Sequence, residues 1–191
     1  MVLGQRKLEE YRNPANYMQK GVVRKRRTSP LSEYGRQLQQ KQELKREYNL
    51  RERQFGRYVK EVLQKAGNGN SAELLMRQLE KRLDSVVFRM GIATTRKQAR
   101  QFVSHGHIFV NGRPMDIPSY IVKTGEKISV RPTLQKKPAF QNILIVLKKY
   151  QAPSWLHLDK EKVEATVQGE PSFHEIAPTV ELPLVFEFYS R

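Results

Sequence analysis

The run Leu83-Asp84-Ser85-Val86-Val87-Phe88-Arg89-Met90-Gly91, then Thr94-Thr95-Arg96-Lys97-Gln98-Ala99-Arg100-Gln101-Phe102-Val103-Ser104-His105-Gly106, then Ile108-Phe109-Val110-Asn111-Gly112, decides the fold. It reads as a helix, a short turn, a basic helix, a glycine stop and a β-hairpin. Thr95 and Gln98 have capping-box spacing, and Ala99, Phe102 and Val103 give the second helix an apolar side. Asn111-Gly112 between Ile108-Phe109-Val110 and Arg113-Pro114-Met115 is a type I′ hairpin signal, because both central residues must accept positive φ. The spacing predicts that Arg96, Arg100 and Ser104 share one exposed helical face. Thr94 and Thr95 add a helix start whose free N–H groups favour anions. Such a surface positions a protein on a phosphate backbone without reading sequence.

Upstream, Ser32 is a plausible N-cap for a helix to about Tyr48. Its apolar face is thin (Tyr34, Leu38, Leu44), whereas Arg36, Lys41, Lys45 and Arg46 are abundant. Asn49 and Glu52 have capping-box spacing for a helix to about Ala66. Phe55, Val59, Val62 and Leu63 form its buried stripe, and Arg51, Arg53, Arg57 and Lys60 stay outside. After Gly67-Asn68-Gly69-Asn70, Ser71 is read as the cap of one helix reaching Met90, with Leu75, Leu79, Leu83, Val86 and Met90 at steps of three and four. Arg82 and Arg89, seven apart, fall on another face of it.

Downstream, strands are expected at Tyr120–Val122 and Lys127–Arg131, then a helix from Pro138 to Tyr150. Trp155–Leu158 and Val163–Val167 read as strands, and Leu184–Tyr189 as a closing strand or extended arm.

The charge points the same way. The 191 residues carry a formal net charge of +16. Residues 1–65 hold 17 basic and 7 acidic side chains, residues 66–131 hold 11 and 5, and residues 132–191 hold 7 of each. A polyanion should therefore meet the first two thirds of the chain, leaving the last third to packing or protein contact. Arg24-Lys25-Arg26-Arg27 is a basic cluster of the kind that orders on nucleic acid. A narrow A-form major groove excludes a helix, so recognition should follow backbone shape and irregular junctions.

Other chemistries find little support. The absence of cysteine excludes disulfides, thiolate metal sites and cysteine nucleophiles. His105, His107, His157 and His174 lack a convincing ligand spacing, so no metal or other cofactor is expected. There is no glycine-rich phosphate loop or nucleophile elbow, and carboxylates such as Asp84 and Asp116 are scattered, which argues against an enzyme. A helix-turn-helix for DNA is disfavoured by the hairpin that follows the basic helix at once. The lack of a membrane-length apolar run and of a secretory core leads to the expectation of a cytoplasmic protein with no membrane contact.

Residues Arg82–Arg131 resemble the small RNA-binding module shared by a ribosomal protein, some pseudouridine synthases, bacterial tyrosyl-tRNA synthetases and a heat-shock protein. The likeness extends further for one of these. Leu31-Ser32-Glu33-Tyr34-Gly35, Arg51-Glu52-Arg53-Gln54-Phe55, Arg82-Leu83-Asp84, Ala99-Arg100-Gln101, Val103-Ser104-His105, Val110-Asn111-Gly112-Arg113, Pro153-Ser154-Trp155-Leu156 and Glu187-Phe188-Tyr189-Ser190-Arg191 resemble bacterial small-subunit ribosomal protein four, the uS-four family.

The resemblance implies an α+β protein of two domains with a small antiparallel sheet. Residues 1–31 would be a basic extension, 32–82 plus 163–191 a helical rRNA-binding domain, and 83–162 an inserted α+β module. It implies a primary binder of small-subunit rRNA that nucleates the subunit body. Ribosomal protein five would be a neighbour, with influence on decoding accuracy, and mRNA would pass nearby at its entry channel. The candidate RNA contacts are Arg24, Lys25, Arg26, Arg27, Tyr34, Arg36, Lys41, Lys45, Arg51, Arg53, Arg57, Arg82, Arg89, Thr95, Arg96, Lys97, Arg100, Gln101, Ser104, His105, Asn111 and Arg113. The Pro-Gly-x-His-Gly stretch and zinc-binding cysteines of many relatives are missing from residues 1–30. A stand-alone ribosome-associated or heat-shock factor built on the same module is the alternative.

Overall fold

A computed structural model describes residues 30–66, 70–135 and 138–190. The Arg24–Arg27 cluster lies outside the described residues. Ser32–Arg191 forms one compact unit.

Four helices build its helical body: α1 (Glu33–Glu47), α2 (Glu52–Ala66), α3 (Ser71–Glu80) and, from the far end of the chain, α9 (Leu182–Ser190). Ser32 caps α1 by accepting from Gly35 N at 3.2 Å. Leu44 and Tyr48 from α1 and its end, Phe55 and Val59 from α2, Leu75, Met76 and Leu79 from α3, and Leu182 and Val185 from α9 close into one core.

The expected capping box at α2 does not form. Asn49 takes a left-handed conformation (φ 50°), and the Glu52 side chain turns to Lys41, Lys45 and Tyr189. Asn70, one residue before the expected Ser71, caps α3 through a bond from Glu73 N. The closing segment is a helix instead of a strand. Leu182 and Val185, three apart and buried, follow a helical period that the local alternation of apolar residues disguises.

The expected helix from Ser71 to Met90 is broken at Lys81-Arg82. Arg82 is extended (φ −68°, ψ 141°) and α4 restarts at Leu83–Arg89. The break is compensated by other backbone partners: Leu83 N donates to Tyr120 O at 2.8 Å and Val122 N to Lys81 O at 2.9 Å. These flank a single bridge between Arg82 and Ile121, all that forms of the expected Tyr120–Val122 strand.

The rest is an α+β body. It comprises α4, α5 (Arg96–Ser104), β1 (Ile108–Val110), β2 (Arg113–Pro114), β3 (Lys127–Val130), α6 (Pro132–Gln135), α7 (Pro138–Lys149), β4 (Leu156–Asp159) and β5 (Glu164–Val167). Its sheet is antiparallel, in the order β2-β1-β3-β5-β4. Asn111 (φ 50°) and Gly112 (φ 78°) make the hairpin turn as their residue types require. Val86, Met90, Ala99, Val103, Ile108, Ile128, Phe140, Trp155 and Ala165 lie in its core. β5 pairs with β3 (Ile128 opposite Ala165) and with β4, so the α+β body runs past the expected boundary at 163. The chain returns to the helical body through Glu170, which pairs with Arg77 of α3, and a short helix, α8 (Phe173–Ile176), whose Ile176 packs on the helical core ahead of buried Val180.

Candidate nucleic-acid interface

The basic residues sort into two sets, one turned inward and one facing solvent. The inward set is held by carboxylates. Arg82 is fully buried, and its Nε and Nη2 donate to Asp84 Oδ1 (3.0 Å) and Oδ2 (2.6 Å) while Nη1 donates to Tyr58 Oη (2.6 Å). Arg89 donates through Nε to Glu80 Oε2 at 2.8 Å and through Nη2 to Oε1 at 2.9 Å. Arg96 donates to the same Oε1 at 2.9 Å, with its guanidinium 4.0 Å from the Tyr48 ring centroid. Lys41 donates to Glu52 Oε1 at 2.7 Å and lies 4.4 Å from the Phe188 ring centroid. Lys45 donates to Glu52 Oε2 at 2.9 Å.

These placements correct the sequence reading. Arg82, Arg96 and Lys41 are buried and ion-paired, and Arg89, Lys45 and Arg100 are half-buried and bonded within the protein. Arg100 donates from Nη1 to the Asn49 carbonyl at 2.8 Å. The Arg82 guanidinium, held by both Asp84 oxygens and Tyr58 in a dry site, has little remaining capacity for a phosphate. The helical break at Arg82 also removes the face that Arg82 and Arg89 were expected to share.

The Glu80 carboxyl feels opposing influences. Burial pushes it up, but the Arg89 hydrogen bonds and the charges of Arg96 and Arg89 outweigh this and hold it below the usual carboxylate range. Burial and the neighbouring Glu80 carboxylate raise the Tyr48 phenol well above its ordinary value. Burial likewise pushes Glu52 up, yet hydrogen bonds from Lys41, Lys45 and Tyr189 bring it down to about 2.

The solvent-facing set forms two helical faces. On α2, Arg53, Arg57 and Lys60 recur at steps of four and three, are exposed, and line an open groove with Glu52, Gly56, Glu61, Gln64 and Tyr189. On α5, Lys97, Gln101, Ser104 and His105 are exposed at the same kind of spacing. This face is rotated from the expected Arg96–Arg100–Ser104 face, because Arg96 and Arg100 point toward the helical body. Thr95 is exposed, and its Oγ1 caps α5 by accepting from Gln98 N at 3.1 Å. Asn111 Oδ1 accepts from Lys127 N at 2.9 Å, pinning the hairpin, and Arg113 stands exposed beside it. Arg36 and Arg51 are exposed, as is Tyr34, whose ring is 5.7 Å from that of Phe188.

Lys60, expected only to face outward, joins this groove, and Tyr189 is an aromatic whose residue type suits base stacking. Lys60 continues the Arg53–Arg57 period, which is a legible signal. Tyr189 reaches the groove only because α9 crosses α2 at Gly56, where an added Cβ would stand 3.2 Å from the Tyr189 ring. Among the described residues there is no group of three or more His, Asp or Glu side chains able to hold a metal ion. No described helix is long and apolar enough to cross a membrane.

A helical body with an exposed cationic stripe on α2, and an α+β body with an exposed polar face around Lys97, define a protein of the RNA-binding class built on the module seen at Arg82–Arg131. Comparison with known proteins agrees. Residues 81–128 match the S4 domain, and residues 3–80 match the Ribosomal protein S4/S9 N-terminal domain. The chain is 44% identical over 175 residues to small ribosomal subunit protein uS4 of Chloroflexus aurantiacus, covering 91% of this chain and 83% of that protein. It is 44% identical over 188 residues to the uS4 protein of Herpetosiphon aurantiacus, covering 97% and 87%. The uS4 protein of Persephonella marina is 44% identical over 173 residues, covering 90% and 83%. The chain belongs to the uS4 family of small ribosomal subunit proteins.

Proposed function

We infer that this chain is a structural component of the small ribosomal subunit that binds small-subunit rRNA by charge and shape. The observation that carries this reading is the division of its cations. Inward arginines and lysines are ion-paired with Glu52, Glu80 and Asp84, while Arg53, Arg57, Lys60 and Lys97 remain free to meet phosphate on stiff helices. Rigid placement of surface cations lets counterion release drive binding with little ordering cost. Binding and ordering of RNA, without bond chemistry, account for these surfaces.

In the finer reading, the protein nucleates the body of the subunit in the cytoplasm. It meets ribosomal protein five and contributes to decoding accuracy with it, and it lies near the mRNA entry channel. Candidate RNA contacts are the solvent-facing residues of α2 and α5 together with Tyr34, Arg36, Arg51, Thr95, Asn111 and Arg113. The test is co-purification. A structural protein stays with small subunits at one copy each through a high-salt wash, whereas a transient factor washes off. Substoichiometric recovery would reject the structural role.

A further inference from the structure

Three arginines of the α+β body reach into the helical body, and two of them converge on one carboxylate. Glu80 ends α3, whose Leu75, Met76 and Leu79 belong to the helical core, and the Glu80 side chain is fully buried. Its oxygens accept from Arg89 on α4 and Arg96 on α5, both in the α+β body. From the helical side, Tyr48 Oη donates to Glu80 Oε1 at 2.6 Å. The Arg96 guanidinium is sandwiched near Tyr48 of one body and Phe88 of the other, 4.0 and 4.8 Å from their ring centroids. Arg100 adds a third crossing to the Asn49 carbonyl.

We propose that Glu80 is a positioning residue for RNA binding, a buried clamp that fixes the angle between the helical and α+β bodies. This rests on the rRNA-binding reading above. The direct chain link between the bodies at this point is Lys81-Arg82, where Lys81 ends α3 in helical conformation and Arg82 is extended, so no continuous helix carries the angle across. Apolar contact across a seam is non-directional, whereas a carboxylate accepting from two guanidinium groups and a phenol has one satisfactory geometry. The clamp holds the Lys97–Gln101–Ser104–His105 face of α5 in a fixed relation to the Arg53–Arg57–Lys60 face of α2. A folded RNA can then engage both at once, so the second contact is intramolecular and already oriented. Loss of the clamp leaves each body folded and each face charged, but widens the range of angles between them, since only the Arg100–Asn49 and Arg82–Tyr58 bonds remain among these polar crossings.

The test uses Glu80→Asp and Glu80→Gln in the full chain. Aspartate keeps the charge and withdraws the carboxylate by one methylene, and glutamine keeps the shape and removes the charge. Spin labels at Gln39→Cys and Asp116→Cys, exposed and outside the proposed RNA faces, report the distance between bodies, and the natural sequence has no cysteine to compete. The expected result is a narrow distance distribution in the parent and a broad one in both variants. Affinity for a small-subunit rRNA transcript should fall about tenfold or more, with a shallower salt dependence. An unchanged distribution, an unchanged salt slope, or loss of folding in both variants overturns the clamp. The paired substitution Arg53→Glu with Arg57→Glu separates the two readings. If it leaves RNA affinity intact, the RNA face is misassigned, while the label distances still judge the clamp.

Discussion

Arg96 Nη2 donates to Glu80 Oε1 at 2.9 Å while its next neighbour, Lys97, faces solvent. One step along α5 thus separates a cation that holds the protein together from a cation available to a ligand. The helical spacing of Arg96, Arg100 and Ser104 carries the expectation that reversing both arginines spares the fold. The structure predicts the opposite. Arg96→Glu leaves Glu80 facing a like charge in a buried site and should cost about 3–5 kcal/mol of stability. Lys97→Glu should leave the melting temperature within a degree or two and weaken RNA binding by about 1 kcal/mol. Thermal melts paired with RNA titrations check this, and equal melting temperatures for the two variants would contradict it.

The α2 stripe makes a separate claim. Arg53→Glu with Arg57→Glu changes exposed side chains with no ion pair in the described structure, so stability should move by no more than about 0.5 kcal/mol. The logarithmic salt slope of rRNA binding should become shallower by about one to two, because each phosphate contact removed releases fewer counterions. A titration series across salt concentrations measures it. A uniform loss of affinity with an unaltered slope would place the phosphate contacts elsewhere.

Much of the α+β body was legible because its signals are local. Thr95, Gly91, Gly106 and Asn111-Gly112 each dictate backbone geometry within a few residues and occur in the structure as their types require, while Gln98 completes the expected capping box on Thr94 N in place of Thr95 N. The break at Lys81-Arg82 was illegible because its cause is a partner forty residues away, the Tyr120–Val122 segment. Glu80 was illegible for the same kind of reason. Leu-Glu-Lys-Arg at 79–82 reads as a solvated charge run until Tyr48, Arg89 and Arg96 are brought around it. The spacing of cations showed which lie on helices, but the direction each helix faces depends on which body packs behind it.

Glu52 predicts an acid-sensitive contribution. Its carboxyl is held at about 2 in the folded chain, below the ordinary value of 4.5. A depressed folded value means that the stabilisation is complete above 4.5 and is lost as pH falls through that value toward about 2. The stability difference between the parent and Glu52→Gln should therefore be constant near neutrality and shrink over that acidic window. Because the carboxyl is 47% exposed, solvent screening keeps the effect small. Denaturant midpoints as a function of pH test this, and a difference that grows on acidification would contradict it.

Gly91 ends α4 at φ 76°, and a Cβ there would stand 2.7 Å from the Tyr150 ring. Tyr150 cannot simply swing away, because its Oη donates to the Arg89 carbonyl at 3.0 Å. Gly91→Ala therefore combines backbone strain with a steric conflict and should destabilise by about 1–3 kcal/mol. Gly112→Ala, at φ 78° with nothing within 4 Å of the added atom, meets only the backbone penalty and should cost less. Equal losses in the two variants would remove the Tyr150 contact from the account.

The final helix makes the strongest prediction about how the chain completes itself. Leu182 and Val185 of α9 are buried in the helical core. Glu187 Oε2 accepts from Gln37 Nε2 at 2.9 Å, Phe188 lies under Lys41, and Tyr189 Oη donates to Glu52 Oε1 at 2.9 Å. Removing α9 exposes Leu44, Phe55 and Val59 and strips Lys41 of its aromatic cover. Each large apolar side chain stripped of its cover costs about 1.5–3 kcal/mol, so the losses together match the whole stability of a small domain. The α+β body has its own core around Met90, Ile108 and Trp155, none of which touches α9 in that core. Truncation before Leu182 should therefore abolish protection from hydrogen exchange in α1–α3 and preserve it in the five-stranded sheet. Uniform loss of protection throughout would mean that the two cores fold as one cooperative unit.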